Sequence, residues 1–182
     1  MKKIVCAVLV FVFAFSLSVA AFAGDSVIAP VSDGEATSAL PEIVSDPAGD
    51  KKVELVDADG NAVELTDDAL IMLSVADAEE SLEGEDLENV KKAYEAAKAE
   101  KDYVVTNFFW LDLSDEYKEI VAEGGGLKVD FKVPGLKPGD KVKIMVNGVE
   151  IPAKNITVNA DGSVTVVFYE FGAVAIMTKA AK

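Results

Sequence analysis

Between Leu127 and Phe168 the apolar residues of this chain recur at every second position, and short turn sequences interrupt them at regular intervals. Leu127, Val129, Phe131 and Val133 alternate strictly with Lys128, Asp130 and Lys132. Val142, Ile144 and Val146 alternate with Lys141, Lys143 and Met145, and Val164, Val166 and Phe168 repeat the pattern. A period of two puts every apolar side chain of a strand on one face, so such runs demand sheets with one dry and one wet side. That pattern suits antiparallel pairing and argues against a parallel core, whose strands are apolar on both faces. Asn147-Gly148 is the strongest hairpin signal, because both positions of a tight two-residue turn need positive φ. Pro134-Gly135, Pro138-Gly139 and Asp161-Gly162 mark further turns.

The same signals extend to both sides. Val53 and Leu55 alternate with Glu54, Asp59-Gly60-Asn61 turns the chain, and Val63 and Leu65 follow. Thr66-Asp67-Asp68 is a second turn, and the run Ala69–Val75 reads as a buried strand. The period then changes: Leu87, Val90, Tyr94 and Ala97 recur at helical spacing, with Glu85, Asp86 and Glu88 at the start and Lys98 and Lys101 at the end, as a helix dipole favours. A helix is expected over about 85–101. Val105, Phe109, Leu111 and Leu113 are assigned to one face of the next strand, with Thr106, Phe108, Trp110 and Asp112 on the other. Ser114–Glu123 fits one or two helical turns with Ser114 as N-cap, and Gly124-Gly125-Gly126 is a joint. Phe171–Thr178 supplies the last strand. The expectation is a mainly all-β chain, an antiparallel sandwich of eight or nine strands with one inserted or covering helix. Its domain is placed at residues 51–182, and residues 24–50, with Pro30, Pro41 and Pro47, read as a linker.

Residues 1–23 read as an export signal. Lys2-Lys3 precede an apolar run from Ile4 to Leu17, and Ala21 and Ala23 give the small residues of a cleavage site. Ile4–Ala23 is also long enough to span a bilayer as a retained anchor; the coincidence of basic start, apolar run and small-residue site favours cleavage. Cys6 lies before most of the apolar run and so cannot be a lipidated cysteine. The C-terminus lacks a wall-sorting signal, and no second apolar stretch would leave a membrane span after cleavage. The expected location is secreted, with non-covalent association to the envelope an option.

Composition narrows the chemistry. All 17 cationic residues are Lys, there are 32 acidic residues and no His, and Cys6 is the one cysteine. Removing residues 1–23 takes two Lys and no acid, moving the net charge from −15 to −17. Without imidazole, guanidinium or thiol there is no Ser-His-Asp or Cys-His apparatus, no nitrogen/sulfur zinc site and no bidentate phosphate clamp. A polyanion cannot neutralise nucleic-acid phosphates, so DNA and RNA are excluded as partners. No cofactor is expected, and no enzyme.

Phe109-Trp110-Leu111-Asp112-Leu113-Ser114, Leu127–Gly135, Asn159-Ala160-Asp161-Gly162-Ser163-Val164-Thr165-Val166 and Phe171-Gly172-Ala173-Val174-Ala175-Ile176 together resemble immunoglobulin-like β-sandwich domains of secreted and cell-wall proteins from Gram-positive anaerobes. The likeness covers about residues 103–178. Gly172-Ala173 departs from it, since Ser-Pro is usual there. The resemblance implies a structural or binding domain at the cell surface, with a cell-envelope protein or polysaccharide as partner, and carries over no catalytic residue.

Three sets of side chains are candidates for binding. Asp57, Asp59 and Asn61, with Glu64 downstream, look like half of a calcium loop, but Gly60 sits fourth where an EF-hand needs Gly sixth, and the twelfth position is Asp68, not Glu; a hairpin turn explains them as well. Asp77, Glu79, Glu80, Glu83, Glu85, Asp86 and Glu88 would suit divalent cations or simply a solvated loop and helix start. Phe108 and Trp110, two apart on one strand, would form an aromatic platform for a glycan unless the preceding helix covers them. Nothing singles out a pair of carboxylates for glycoside hydrolysis, and a Lys–Asn cross-link is disfavoured because the final strand has no Asn.

Overall fold

The structure, a computed structural model, describes residues 40–179. Among them, eleven strands form two antiparallel sheets. Strands β1 (Glu42–Ile43), β2 (Val53–Val56), β3 (Ala62–Val63), β6 (Gly126–Lys132), β9 (Ile156–Val158) and β10 (Ser163–Phe168) make the first, in the order β3-β2-β6-β10-β9 with β1 also pairing β6. The second contains β4 (Leu70–Leu73), β5 (Tyr103–Leu113), β7 (Val142–Val146), β8 (Val149–Glu150) and β11 (Gly172–Lys179), in the order β4-β5-β11-β7-β8. The chain is an antiparallel β-sandwich, as its alternating pattern requires.

The sheets meet through the apolar residues of the period-two runs. Leu127, Val129 and Phe131 of β6, Val164, Val166 and Phe168 of β10, and Phe109, Leu111 and Leu113 of β5 are all buried in one cluster. Phe131 stands between Phe109 (ring centroids 5.7 Å apart) and Phe168 (6.2 Å, edge-to-face), a geometry that favours aromatic pairs beyond their buried area. Each such side chain removed from water contributes about 1.5–3 kcal/mol.

Three helices complete the chain. Helices α1 (Val75–Ser81) and α2 (Gly84–Lys98) lie on the outer face of the second sheet, and α3 (Asp115–Ala122) follows β5. Val75 and Ala78 from α1, with Val90, Ala93, Tyr94 and Ala97 from α2, form a second apolar cluster with Val105, Phe108, Trp110, Met145, Ala173, Ala175 and Met177. The second sheet is therefore dry on both faces, and the packing runs sheet, sheet, helices. The small side chains at Ala173 and Ala175 let α2 approach β11. Tyr117 of α3 points its hydroxyl to the Thr66 amide, which donates to it at 3.3 Å.

Beyond the number of strands among the described residues, eleven against the eight or nine expected, four features differ from the sequence expectation. Glu42–Ile43, inside the stretch read as a linker, pairs with Lys132 and Phe131 of β6, and Val44 is buried. Val44 follows two Pro-containing segments without any periodic neighbours, so no pattern reveals it. Ala69–Val75 is not all strand: Val75 opens α1, whose start is fixed by Ser74, which accepts from the Asp77 amide and donates to the Asp77 carboxylate at 2.6 Å. A capping residue thus overrides the apolar run. The expected helix of 85–101 begins one residue earlier and stops at Lys98.

The fourth difference is one of parity. Val105 does not share a face with Phe109; it joins Phe108 and Trp110 on the helix side. Ile176 pairs with Asn107 and Met177 with Val105, so Thr106 is an extra residue in β5 opposite β11. A bulge of one residue inverts the facing of everything beyond it. The Thr106 hydroxyl donates to the Ile176 carbonyl at 2.9 Å within this irregularity.

Candidate functional site

Phe108 and Trp110 are 3 % and 8 % exposed. Tyr94 of α2 meets the Phe108 ring edge-on, with centroids 5.1 Å apart, and burial pushes the Tyr94 hydroxyl up in pKa. The aromatic platform is closed by the helix, whose apolar stripe needs this partner. No ligand face is left at these residues, which corrects the glycan site placed there.

Asp57, Asp59 and Asn61 form a turn. The Asp57 carboxylate accepts from the Asp59 amide (3.0 Å), the Asn61 amide (2.8 Å) and the Asn61 side chain (3.0 Å), while the Asp57 amide donates to the Asn61 carbonyl. Hydrogen bonding, led by the Asn61 side chain, holds the Asp57 carboxyl below the usual range. Its oxygens accept the hydrogen bonds of the hairpin between β2 and β3, as a turn alone would build them. Among the described residues, no group of three or more acidic, His or Cys side chains is placed to hold a metal ion. In the acidic segment, Asp77 is taken up by Ser74 and Glu88 faces Lys92 at 3.4 Å in solvent. Ala21 and Ala23, the expected cleavage residues, lie outside the described residues. Within the described residues no helix is long and apolar enough to cross a membrane.

A concavity lies elsewhere, beside the β8 and β9 edges of the two sheets. The tight turn Asn147-Gly148 sends the chain from β7 into β8 with positive φ at both residues. Ile151 donates once more to Ile144, and Pro152, which has no N–H to extend a ladder, starts a 3-10 turn (Ala153–Asn155) that leads away to β9. This detour leaves a groove of about 370 Å³ with Val146 and Phe168 among its lining and Val149, Ile151, Pro152, Lys154, Asn155, Val167, Tyr169, Glu150 and Glu170 around them.

Val149 (68 % exposed) and Tyr169 (54 %) are the most exposed large apolar side chains among the described residues, and both line this groove. Val149 comes from the second sheet and Tyr169 from the turn after β10 of the first. Tyr169 is seated on the neighbouring strand. A Cβ at Gly126 of β6 would come within 3.1 Å of the Tyr169 Cε1 and 3.2 Å of the Val167 Cγ1. Gly126 does not have the positive φ that demands glycine; the ring occupies the space a side chain would take.

Two contacts fix the groove's rim. Lys143 reaches Glu150 at 3.1 Å and donates to Glu100 at 2.9 Å, with its Nζ 5.0 Å from the centre of the Tyr103 ring. These hydrogen bonds, Glu100's first, raise the Lys143 pKa and keep it charged. Behind the β7–β8 turn, the Asn147 side chain donates to the Phe171 carbonyl (2.9 Å) and accepts from the Ala173 amide (3.0 Å). Apolar walls, one exposed ring and an amide, ammonium and two carboxylates can stack on and hydrogen-bond to a ligand. Sequence reasoning missed this site because its residues come from two separated segments, 146–155 and 167–170, made of strand ends and turns. The one local signal is Tyr169-Glu170, where an aromatic follows Phe168 and breaks the alternation on the way to a turn.

Compared with protein-family models, curated proteins and solved structures, the chain finds no match.

Proposed function

We propose that this chain is a non-catalytic, exported interaction module that works by binding at the cell surface. The observation that carries this reading is the groove between β8 and the end of β10, where the two most exposed apolar side chains converge beside polar ones. A set of residues with no imidazole, guanidinium or, after removal of a leader, thiol supports binding over turnover. The likeness of residues 103–178 to immunoglobulin-like domains of secreted wall proteins supports the surface setting. At Gly172-Ala173, where that family carries Ser-Pro, the Ala173 amide donates to Asn147, a bond that proline could not make. The acidic balance keeps the module soluble and repels polyanions.

The test is adsorption. The chain is expressed with its leader, recovered after export, and sedimented with isolated Gram-positive cell walls. The reading expects a product beginning near Gly24, saturable retention on the walls and no change in wall material with time. Retention within the medium control, or release of soluble wall fragments by the pure protein, would overturn it.

A further inference from the structure

We propose that the groove takes a neutral carbohydrate, with Tyr169 as the surface on which a sugar ring stacks; this deepens the reading of the chain as an interaction module and rests on it. A pyranose has an apolar C–H face and a rim of hydroxyls. The groove offers the complement of both. Tyr169 is half exposed, and its ring sits against Gly126, where a Cβ would crowd it at 3.1 Å. An aromatic ring positioned in this way loses little freedom when a ligand covers it, since only two torsions are to be fixed. Val149 and Pro152 extend the apolar surface, and Asn155 and Glu170 supply an amide and a carboxylate for hydroxyl groups. Glu150 itself is paired with Lys143 at 3.1 Å. The volume, about 370 Å³, lies within the range of small-ligand sites.

Charge selects among sugars. With a net charge of −15, or −17 once residues 1–23 are removed, the chain repels uronate- or phosphate-bearing polymers, whereas a neutral glycan experiences no such penalty. An extended peptide is the competing occupant, and the strands bordering the groove disfavour it. β8 has two residues and β9 three, too few backbone groups for a strand to add along them.

The test uses the exported chain against immobilised neutral gluco-, xylo-, manno- and galacto-oligosaccharides, with oligogalacturonate and a panel of extended peptides as further arms. At least one neutral sugar is expected to be retained. Tyr169→Ala should weaken that binding about tenfold or more, Tyr169→Trp should preserve it, and Ile71→Ala, on the opposite edge strand of the second sheet, should leave it unchanged. Amide resonances of Val149, Asn155 and Tyr169 should shift on titration of the retained sugar. Retention of no neutral sugar, preference for the anionic or peptide arm, or equal binding by a Tyr169→Ala variant with a native circular dichroism spectrum would each overturn the proposal. Wall adsorption that persists in Tyr169→Ala would refute the sugar site and leave the interaction reading standing; loss of wall adsorption by the unaltered chain would refute both.

Discussion

Replacing Phe108 with Ala tests whether the helices are part of the folded core. Phe108 is 3 % exposed between Tyr94 of α2 and the second sheet. Truncating a buried Phe costs about 3–5 kcal/mol through lost transfer energy and the cavity left behind. The edge-to-face contact with Tyr94 accounts for about 0.5–1.5 kcal/mol of coupling. Because α2 can settle toward the gap, the lower half of the range is expected, about 3–4 kcal/mol. With a urea slope of about 2 kcal/mol per molar, the unfolding midpoint should fall by about 1.5–2 M. Val104→Ala, an exposed neighbour on the same strand, should change stability by no more than about 0.5 kcal/mol. The assay is urea unfolding followed by far-ultraviolet circular dichroism, run on both variants and on Tyr94→Ala with and without Phe108→Ala. A loss under about 1 kcal/mol for Phe108→Ala, or strict additivity with Tyr94→Ala, would refute the packing of α2 on β5.

Other outcomes follow from single contacts. Gly172 has φ +136°, and a Cβ there would lie 2.1 Å from the Asn147 Oδ1, so Gly172→Ala should cost about 2 kcal/mol or more and lower the melting temperature; an unchanged melting point would contradict the turn geometry. Hydrogen bonds, chiefly from Asn61, Thr66 and Ser163 side chains respectively, hold the Asp57, Asp68 and Asp161 carboxyls below the ordinary value of 3.8. A depressed folded-state pKa adds stability that is present above the unfolded pKa and is lost as pH falls through the folded one. Stability should therefore decline as pH drops below about 4, and Asp57→Asn with Asp161→Asn should flatten that decline; an identical acid limb would count against these turns. Calcium titration by calorimetry should give only heat of dilution at the Asp57 turn, and a saturating isotherm abolished by Asp57→Asn would restore it as a metal site.

The strands of the inter-sheet core were legible because each has one wet face. Lys128, Asp130 and Lys132 mark the outside of β6 as plainly as Leu127, Val129 and Phe131 mark its inside. The second sheet hides its inner and outer faces from such reading. Phe108, Phe109, Trp110 and Leu111 are consecutive buried residues, and a run that is apolar on both sides carries no parity. The bulge at Thr106 therefore left no trace in the pattern, and Val105 was assigned to the wrong face. The helix α2 was readable from Val90, Tyr94 and Ala97, whereas α1, one short helix among acidic residues, depended on the Ser74 cap. The binding groove was the least legible part. Val149, Asn155 and Tyr169 meet only because Pro152 turns the chain off an edge strand, which is a consequence of tertiary geometry and not of any local spacing.

Trp110 is the one tryptophan, so its fluorescence reports the closed aromatic face without interference. Acrylamide quenching of the native protein should be weak and should rise several-fold once urea unfolds the chain, because an indole 8 % exposed beneath a helical layer is shielded from the quencher. Equal quenching of the native and unfolded states would mean that the indole faces solvent. In that event the helices would not cover β5, and the binding surface would belong at Phe108 and Trp110 instead of the groove beside Tyr169.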